Sequence, residues 1–531
     1  MESVSCKWLL LSILFLSWAH SALSVDGLSN GDTKVKGVNL GGWLVIEGFI
    51  TPSLFNNIVR ADMLDGAKVR FKSLKSYKYV SAKDGGGSSV AIDQTKADTW
   101  ETFRTVYLSN VLEIIRVATL LQLWRISATE YQFRTYDGHF LSCDGKGAPV
   151  TAKSSYPPSS TETFTVDRSD HDKVRIRHSS GSYLQASPGN VLKADYIGIP
   201  GWDDGNAAIF EMTFDGSNMR GDYQLSNGYG YQEAKKVLDE HRSSFITEQD
   251  FQFLSSQGIN TVRIPVGWWI KDDSNPEPPY IGGSAAYLQM AFEWAEKYNI
   301  KCIIGLHASR GSQNGMEHSA SRDGTIDWHK YNDNVQESLK AIDFLASNYG
   351  KHPALLGIEL LNEPIVPQNS LYEVLIPYYS KGYKIVRKYS DRAYVLISQR
   401  INARNLYEIY DANELKNLPK LVVDFHFYNL YIELFWNKSP SENIQYIKNE
   451  RRRDVESLNA RNGPLVFVGE WVNTFGRGDP GTRMELQDYS KAQLEVYGSA
   501  SFGWAYWTLK HETAPRWDFK KNIKNKIMQL Q

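Results

Sequence analysis

The chain has 531 residues, is 42% hydrophobic and carries a formal net charge of −1. That length supports two or three domains with a large core. The near-neutral balance excludes the electrostatic footprint of a nucleic-acid or anionic-membrane partner.

Residues 1–24 read as a secretory signal peptide. Lys7 supplies the positive charge, Leu9 to Trp18 the apolar core, and Ala22-Leu23-Ser24 a cleavage site with small residues at both ends. The stretch is too short for a membrane span, with an uncleaved anchor as the alternative reading, and no later run approaches eighteen apolar residues. The expectation is a secreted protein in an extracellular or cell-wall setting, with no membrane contact after cleavage. Beyond residue 24 only Cys143 and Cys302 remain. They fall in different expected domains and are read as buried free thiols. Asn437-Lys438-Ser439 is a glycosylation sequon.

Lys34 to Leu44 is a short β-prone run closing on Gly41-Gly42, and residues 25–65 are expected to begin a barrel. From 66 to 215 the texture changes to short alternating strands separated by Gly, Ser and Asp turns. An internal repeat runs through this block. Tyr79-Val80-Ser81-Ala82, Phe140-Leu141-Ser142-Cys143 and Tyr183-Leu184-Gln185-Ala186 share one pattern. Each is trailed by a second tag: Glu101-Thr102-Phe103, Glu162-Thr163-Phe164 and Phe210-Glu211-Met212. The intervals from Phe140 to Tyr183 and from Phe164 to Phe210 are 43 and 46 residues. The first interval is 61 in both series, so an insertion sits in the first unit. Three all-β units of this length predict a closed threefold barrel, with a generic β-sandwich as the alternative. The block resembles the fascin-like β-trefoil family, which implies possible carbohydrate binding or, as a rival, actin bundling. The export signal argues against actin.

Residues 216–531 alternate strand and helix. Helices are expected at Ser244–Gln257, Ala285–Tyr298, Asn334–Tyr349, Leu371–Tyr389, Ser441–Leu458 and Met484–Tyr497. Strands are expected at Asn260–Val266, Lys301–Leu306, Leu355–Leu361, Tyr394–Ser398, Leu421–Phe425, Leu465–Val468 and Ser501–Trp507. With the strand near residue 36 that makes eight. Strict alternation of buried strands and helices predicts an α/β fold, a (β/α)8 TIM barrel interrupted after its first strand by the all-β block. Insertion at a surface loop costs little closure entropy. The basic run Arg451-Arg452-Arg453 is read as a solvated helix face.

At or just past the expected carboxyl ends of these strands stand Arg263, His307, Asn362, Glu363, His426, Tyr428, Glu470 and Trp507. Each has a plain explanation alone: a satisfied core histidine, an ion-pair partner, a packed Trp. Structural polar residues should scatter to both barrel ends, whereas catalytic ones gather at this end. Two carboxyl groups at one rim are the minimum for glycoside hydrolysis, one to protonate the leaving oxygen and one to attack the anomeric carbon or activate water. Two like charges in one pocket also push their pKa values apart. Asn362 is placed to bond the sugar 2-hydroxyl, Tyr428 the nucleophile, and Trp507 to floor the sugar ring.

Leu361-Asn362-Glu363-Pro364 with Val468-Gly469-Glu470-Trp471, the two glutamates 107 residues apart, resembles the family 5 glycoside hydrolases of the retaining barrel clan. Gly37 to Leu44, Gly311 to Gly315 and Lys510 to Trp517 resemble the exo-β-1,3-glucanase branch. The resemblance implies Glu363 as acid/base and Glu470 as nucleophile. It implies sugar binding by Glu47, Arg263, His307, Asn362, His426, Tyr428 and Trp507, a β-glucan or β-glucoside substrate, and no cofactor or metal. Arg310, Leu509 and His511 depart from the branch's pattern. A β-1,4-glucanase or mannanase of the same clan, and a catalytically inactive wall-binding lectin, remain as rival expectations.

Overall fold

The computed structural model describes residues 33–96, 120–135, 137–155, 157–169, 172–216, 219–403, 405–461, 463–476 and 481–530. The signal segment and the tag Glu101-Thr102-Phe103 lie outside the described residues. Strand β1 (Val35–Asn39) opens the chain, and twelve antiparallel strands follow it. They are β2 (Lys68–Ser73), β3 (Tyr79–Ala82), β4 (Val90–Gln94), β5 (Leu121–Arg125), β6 (Glu130–Arg134), β7 (Phe140–Cys143), β8 (Val150–Ser154), β9 (Phe164–Arg168), β10 (Lys173–His178), β11 (Tyr183–Ser187), β12 (Val191–Tyr196) and β13 (Phe210–Phe214). Six of these close a ring, β2–β13–β10–β9–β6–β5 and back to β2. The other six form three hairpins, β3–β4, β7–β8 and β11–β12. The repeated motif supplies the first strand of each hairpin, and the Phe164 and Phe210 tags open β9 and β13 of the ring. Alternation along the strands (Lys68–Ser73 reads half-exposed, buried, half-exposed, buried) turns one face inward. That face packs its own core, including Phe71, Phe133, Phe164 and Phe210.

The chain then returns to a parallel barrel with β14 (Thr261–Gly267), β15 (Lys301–Ala308), β16 (Leu355–Glu359), β17 (Tyr394–Ser398), β18 (Leu421–His426), β19 (Leu465–Glu470) and β20 (Gly503–Tyr506). The ring closes as β1–β14–β15–β16–β17–β18–β19–β20, with Val35 opposite Gly503. Apart from the mouth-proximal or flanking Lys301, Leu356 and His426, these seven strands are buried along their whole length, as central parallel strands are. Helices Ser284–Lys297, Asn332–Tyr349, Ile376–Tyr389 and Arg483–Tyr497 cover the outside.

Several boundaries differ from expectation. The helix expected at 244–257 is Glu248–Ser256, preceded by Asp222–Tyr229 and Tyr231–Ser244. Thr247 caps it with a capping box, which pins its start later than the apolar spacing indicates. The strand expected to reach Leu361 stops at Glu359, so Asn362 and Glu363 lie in the turn beyond. The thiols of Cys143 and Cys302 are free and buried, as expected. Arg451, Arg452 and Arg453 pair with Asp454, Glu495 and Glu450, and Asn437 is exposed. Among the described residues no helix is long and apolar enough to cross a membrane.

The antiparallel sheet grips the barrel at the loop between β15 and helix Asn332–Tyr349. The buried Asp323 carboxylate accepts from Trp124 Nε1 and Arg134 Nη1, both at 2.7 Å. Arg322 lies over the Trp124 ring at 3.7 Å and donates to Asp65 at 2.8 Å. Burial alone would raise the Asp323 carboxyl; the Arg134 charge and the Thr325 and Trp124 donors overcome it and hold it below the usual carboxylate range. A depressed carboxyl contributes stability above its unfolded pKa, and that contribution is lost as pH falls through the folded value. Asp323→Ala should therefore cost about 3 kcal/mol at pH 7. Calorimetric unfolding should show the gap from the parent chain shrinking below about pH 4; a pH-independent gap would contradict the pairing.

Candidate active site

The site is built around Arg263. It is the third residue of β14, inside the barrel rather than at its rim, so the expected placement at a strand end is corrected. Its long side chain reaches the mouth from there. β-sheet register sets Arg263 beside Asn39 of β1. Its Nε donates to Glu359 Oε2 at 2.6 Å, Nη1 to Asn39 Oδ1 at 2.9 Å and Glu470 Oε1 at 3.0 Å, and Nη2 to Asn362 Oδ1 at 2.7 Å. One planar guanidinium thus orients four side chains from β1, β16, β19 and the turn after β16. Burial would lower its pKa, but the Glu359 and Glu470 charges win, so it stays ionised. Gly305 makes the space: a Cβ there would stand 2.9 Å from Glu359 Oε2. Gly469 does the same for Asp424, where a Cβ would come within 2.1 Å of Oδ1.

Glu470 ends β19, and Tyr428 donates to its second oxygen at 2.7 Å. Glu363 sits with φ of 47°, a left-handed conformation costing about 1–3 kcal/mol in a residue with a Cβ. The following Pro364 disfavours the right-handed helical alternative. Ser398 Oγ accepts the Glu363 N–H at 3.1 Å and Asn314 Nδ2 donates to its carbonyl at 3.1 Å. These contacts hold the turn so that the carboxylate faces the mouth.

His426 Nδ1 lies 2.7 Å from Glu363 Oε1 and 3.4 Å from Glu470 Oε2. Atoms of Glu363, His426 and Glu470 all fall within 4.8 Å of one another. His426 is the last residue of β18, and its Nε2 stands 3.4 Å from Asp424. Burial would discharge this imidazole, but Glu470, Asp424 and Glu363 raise its pKa well above the ordinary value. His318 Nε2 approaches Glu363 Oε2 at 3.3 Å from the other side. Burial would raise the Glu363 carboxyl, yet His426 and His318 carry it well below the usual range. The Glu470 carboxyl moves the other way: burial and the Glu363 charge raise it against His426, Arg263 and Tyr428. The two carboxyls therefore differ in proton affinity within one charge cluster.

Trp507, just past β20, stacks on His307 of β15 at 5.4 Å and 7°. His307 Nδ1 and Asn362 Nδ2 are buried polar atoms without a protein partner. Burial, set against the His318 charge, pushes Glu47 up to about 8. Tyr428 stacks on Trp517 at 5.8 Å, and the exposed Phe49 and Tyr431 stand beside this pair. All nine residues singled out from the sequence contribute to this one contact network or its edge, Glu47 through its proximity to His307 and His318. Sequence reading missed Asn39, Glu359, Asp424 and His318. A charge inside an apolar strand, as in Gly357-Ile358-Glu359 and Val423-Asp424-Phe425, was the available signal for two of them; nothing local marked the others.

Three His and carboxylate groups bring atoms within 4.8 Å: Glu47, His307 and His318; Glu359, Asp424 and His426; Glu363, His426 and Glu470. Glu47, Glu359, the Asn314-bonded His318, Glu363, His426 and Glu470 are held by mutual ion pairs or by bonds to Gly42, Arg263 and Tyr428. His307 Nδ1 and Glu359 Oε1 have no hydrogen-bond partner among the described residues. We read the three groups as parts of one polar network.

The family model described as cellulase (glycosyl hydrolase family 5) matches residues 226–513. A domain of unknown function (DUF7910) matches residues 60–118 and 113–214. The chain is 30% identical over 394 residues to a glucan 1,3-beta-glucosidase of Yarrowia lipolytica, covering 67% of this chain and 92% of that protein. It is 27% identical over 401 residues to a glucan 1,3-beta-glucosidase of Pichia angusta, covering 65% and 90%. A solved rutinosidase from Aspergillus niger aligns with a TM-score of 0.49 at 22% identity, over 58% of this chain and 88% of that one. The family model spans more than half of the residues, and the Yarrowia relative is matched over nearly its whole length: the chain belongs to glycosyl hydrolase family 5 and is a glycosidase.

Proposed function

We propose that the chain is a retaining β-glucosidase or exo-β-1,3-glucanase acting by double displacement, with Glu470 as nucleophile and Glu363 as acid/base. The observation that carries this reading is the approach of Glu363 and Glu470 oxygens to within 4.8 Å at the barrel mouth. Retaining enzymes hold their carboxyl groups about 5–5.5 Å apart and inverting ones at least about 6.5 Å, to admit a water. Arg263 and Tyr428 both donate to Glu470 and favour its charged form, although burial and the Glu363 charge raise its carboxyl overall while Glu363 is held low. The two roles are therefore assigned from the positions of the two residues and their contacts, not from these shifts. In the first half-reaction the Glu470 oxygen bonds the anomeric carbon while the departing oxygen takes its electron pair and a proton from Glu363. In the second, Glu363 removes a proton from water as water displaces Glu470. Asn362 Nδ2 supplies a free donor for the sugar 2-hydroxyl, and Trp507 a floor; Glu47, Arg263, His307 and His426 complete the sugar-binding set.

The 1,3-linkage rests on the two relatives named above. We read residues 25–65 and 216–531 as one barrel interrupted by 66–215, and the interruption as a fascin-like β-trefoil, on its closed six-strand ring and three hairpins. Carbohydrate binding by that block and export into a cell-wall setting are part of the same proposal.

Alanine replacements test the roles. Glu470→Ala should lower kcat at least about 10⁴-fold, with azide restoring turnover to an inverted product. Glu363→Ala should lose about 10²–10⁴-fold on laminari-oligosaccharides and much less on activated aryl glucosides. Near-parent turnover in either variant on the oligosaccharide would overturn the assignment. Tyr428→Phe removes a donor to the charged Glu470, so the acid limb of kcat/KM should move to higher pH. A panel of laminari-, cello- and manno-oligosaccharides should favour the first; preference for either other series would replace the linkage reading.

A further inference from the structure

The loop between β15 and helix Asn332–Tyr349 connects two parts of the molecule. Its far end, Arg322 and Asp323, is the part gripped by the antiparallel sheet through Trp124 and Arg134. Its near end enters the site. Glu317 accepts the N–H of Phe49 at 3.1 Å and of Arg220 at 3.2 Å, tying together the segments that enter and leave the sheet. The next residue is His318, whose ring lies 5.2 Å from His307 and whose Nε2 lies 3.3 Å from Glu363 Oε2.

We propose that His318 is a positioning residue that holds the proton for Glu363 and returns it, and that the antiparallel sheet sets its place through the Asp323 clamp. This rests on the reading of Glu363 as acid/base. Two imidazoles flank that carboxylate, one per oxygen. His426 also faces Asp424 and Glu470, two further negative charges, so it is held as a fixed cation. His318 faces Glu363, Glu47, Glu317, Glu470 and the His307 ring, and its Nε2 also lies 2.9 Å from Asn314 Nδ2. The Asn314 amide is oriented independently, since Nδ2 donates to the Glu363 carbonyl and Oδ1 accepts from Met316 N–H. It therefore fits a neutral His318 whose Nε2 lone pair accepts. Glu363 fits a charged His318 whose Nε2–H donates. The same nitrogen has a partner in either protonation state.

The proton balance closes. His318 Nε2–H passes its proton to Glu363 Oε2, leaving a neutral imidazole that accepts from Asn314. Glu363 gives that proton to the departing glycosidic oxygen, which takes the electron pair of the broken C–O bond as Glu470 bonds carbon. Water then displaces Glu470, its proton goes to Glu363, and from there back to Nε2. His318 is thereby raised above the ordinary imidazole value, with burial opposing and Glu363 prevailing.

The test is the pH profile of His318→Gln and His318→Asn on a laminari-oligosaccharide and on an activated aryl glucoside. In the parent the basic limb reports loss of the shared proton from His318. In the variants it reports Glu363 alone beside the His426 cation, so it should move down by about one pH unit or more. The loss in kcat/KM should then be about tenfold at pH 7, small at pH 5, and confined to the oligosaccharide. A limb superimposable on the parent's in both variants, or a loss equal at all pH values, would overturn the proposal. Arg134→Ala should shift the limb in the same direction by less; no shift would remove the sheet from it. Glu363→Ala is run alongside. Undiminished oligosaccharide turnover there would sink the acid/base reading itself, independently of His318.

Discussion

A guanidinium with no exposure stands among carboxylates with almost none, and the organisation of the site follows from that. Arg263 in a low-dielectric barrel is tolerable only because Glu359, Glu470 and Asp424 surround it. Those carboxylates are tolerable only because of Arg263 and His426. Burial pushes Glu359 up to about 7 even so. The barrel supplies what such a cluster needs: eight strand ends converging on one axis, and glycines at 305 and 469 where a side chain would collide with the ion pairs. Removing one charge would strand its partners, so the network behaves as a unit.

That unit also explains how two glutamates of one chemical type come to differ. Glu470 ends a regular strand and is held by Arg263 and Tyr428. Glu363 sits on a strained turn, held by two imidazoles and by the Ser398 and Asn314 contacts to its backbone. The first is fixed by the sheet and the second by loops. These two settings suit the proposed roles: a nucleophile needs a constant position, and a group that gives and takes protons needs neighbours that change protonation with it.

The antiparallel sheet has its own ring, its own hairpins and its own core, and it touches the barrel through a polar clamp at Asp323 and Arg322. The clamped loop is the one that carries Asn314, Glu317 and His318 towards Glu363. Its position therefore depends on contacts made between residues nearly two hundred positions apart.

The sequence by itself determined the element types and the eightfold order, because buried parallel strands must be apolar throughout and crossover helices must be amphipathic. It marked Glu363 and Glu470, since a carboxylate at the end of an apolar run is conspicuous, and the threefold repeat announced the all-β block. Tertiary structure alone decided which groups touch. Asn39 is an unremarkable residue until strand register sets it against Arg263, and His318 is a loop histidine until the sheet presses its loop against the barrel. The difference is physical: periodicity is a local property of the backbone and can be read along the chain, whereas ion pairing acts through space between segments whose separation along the chain says nothing of their distance.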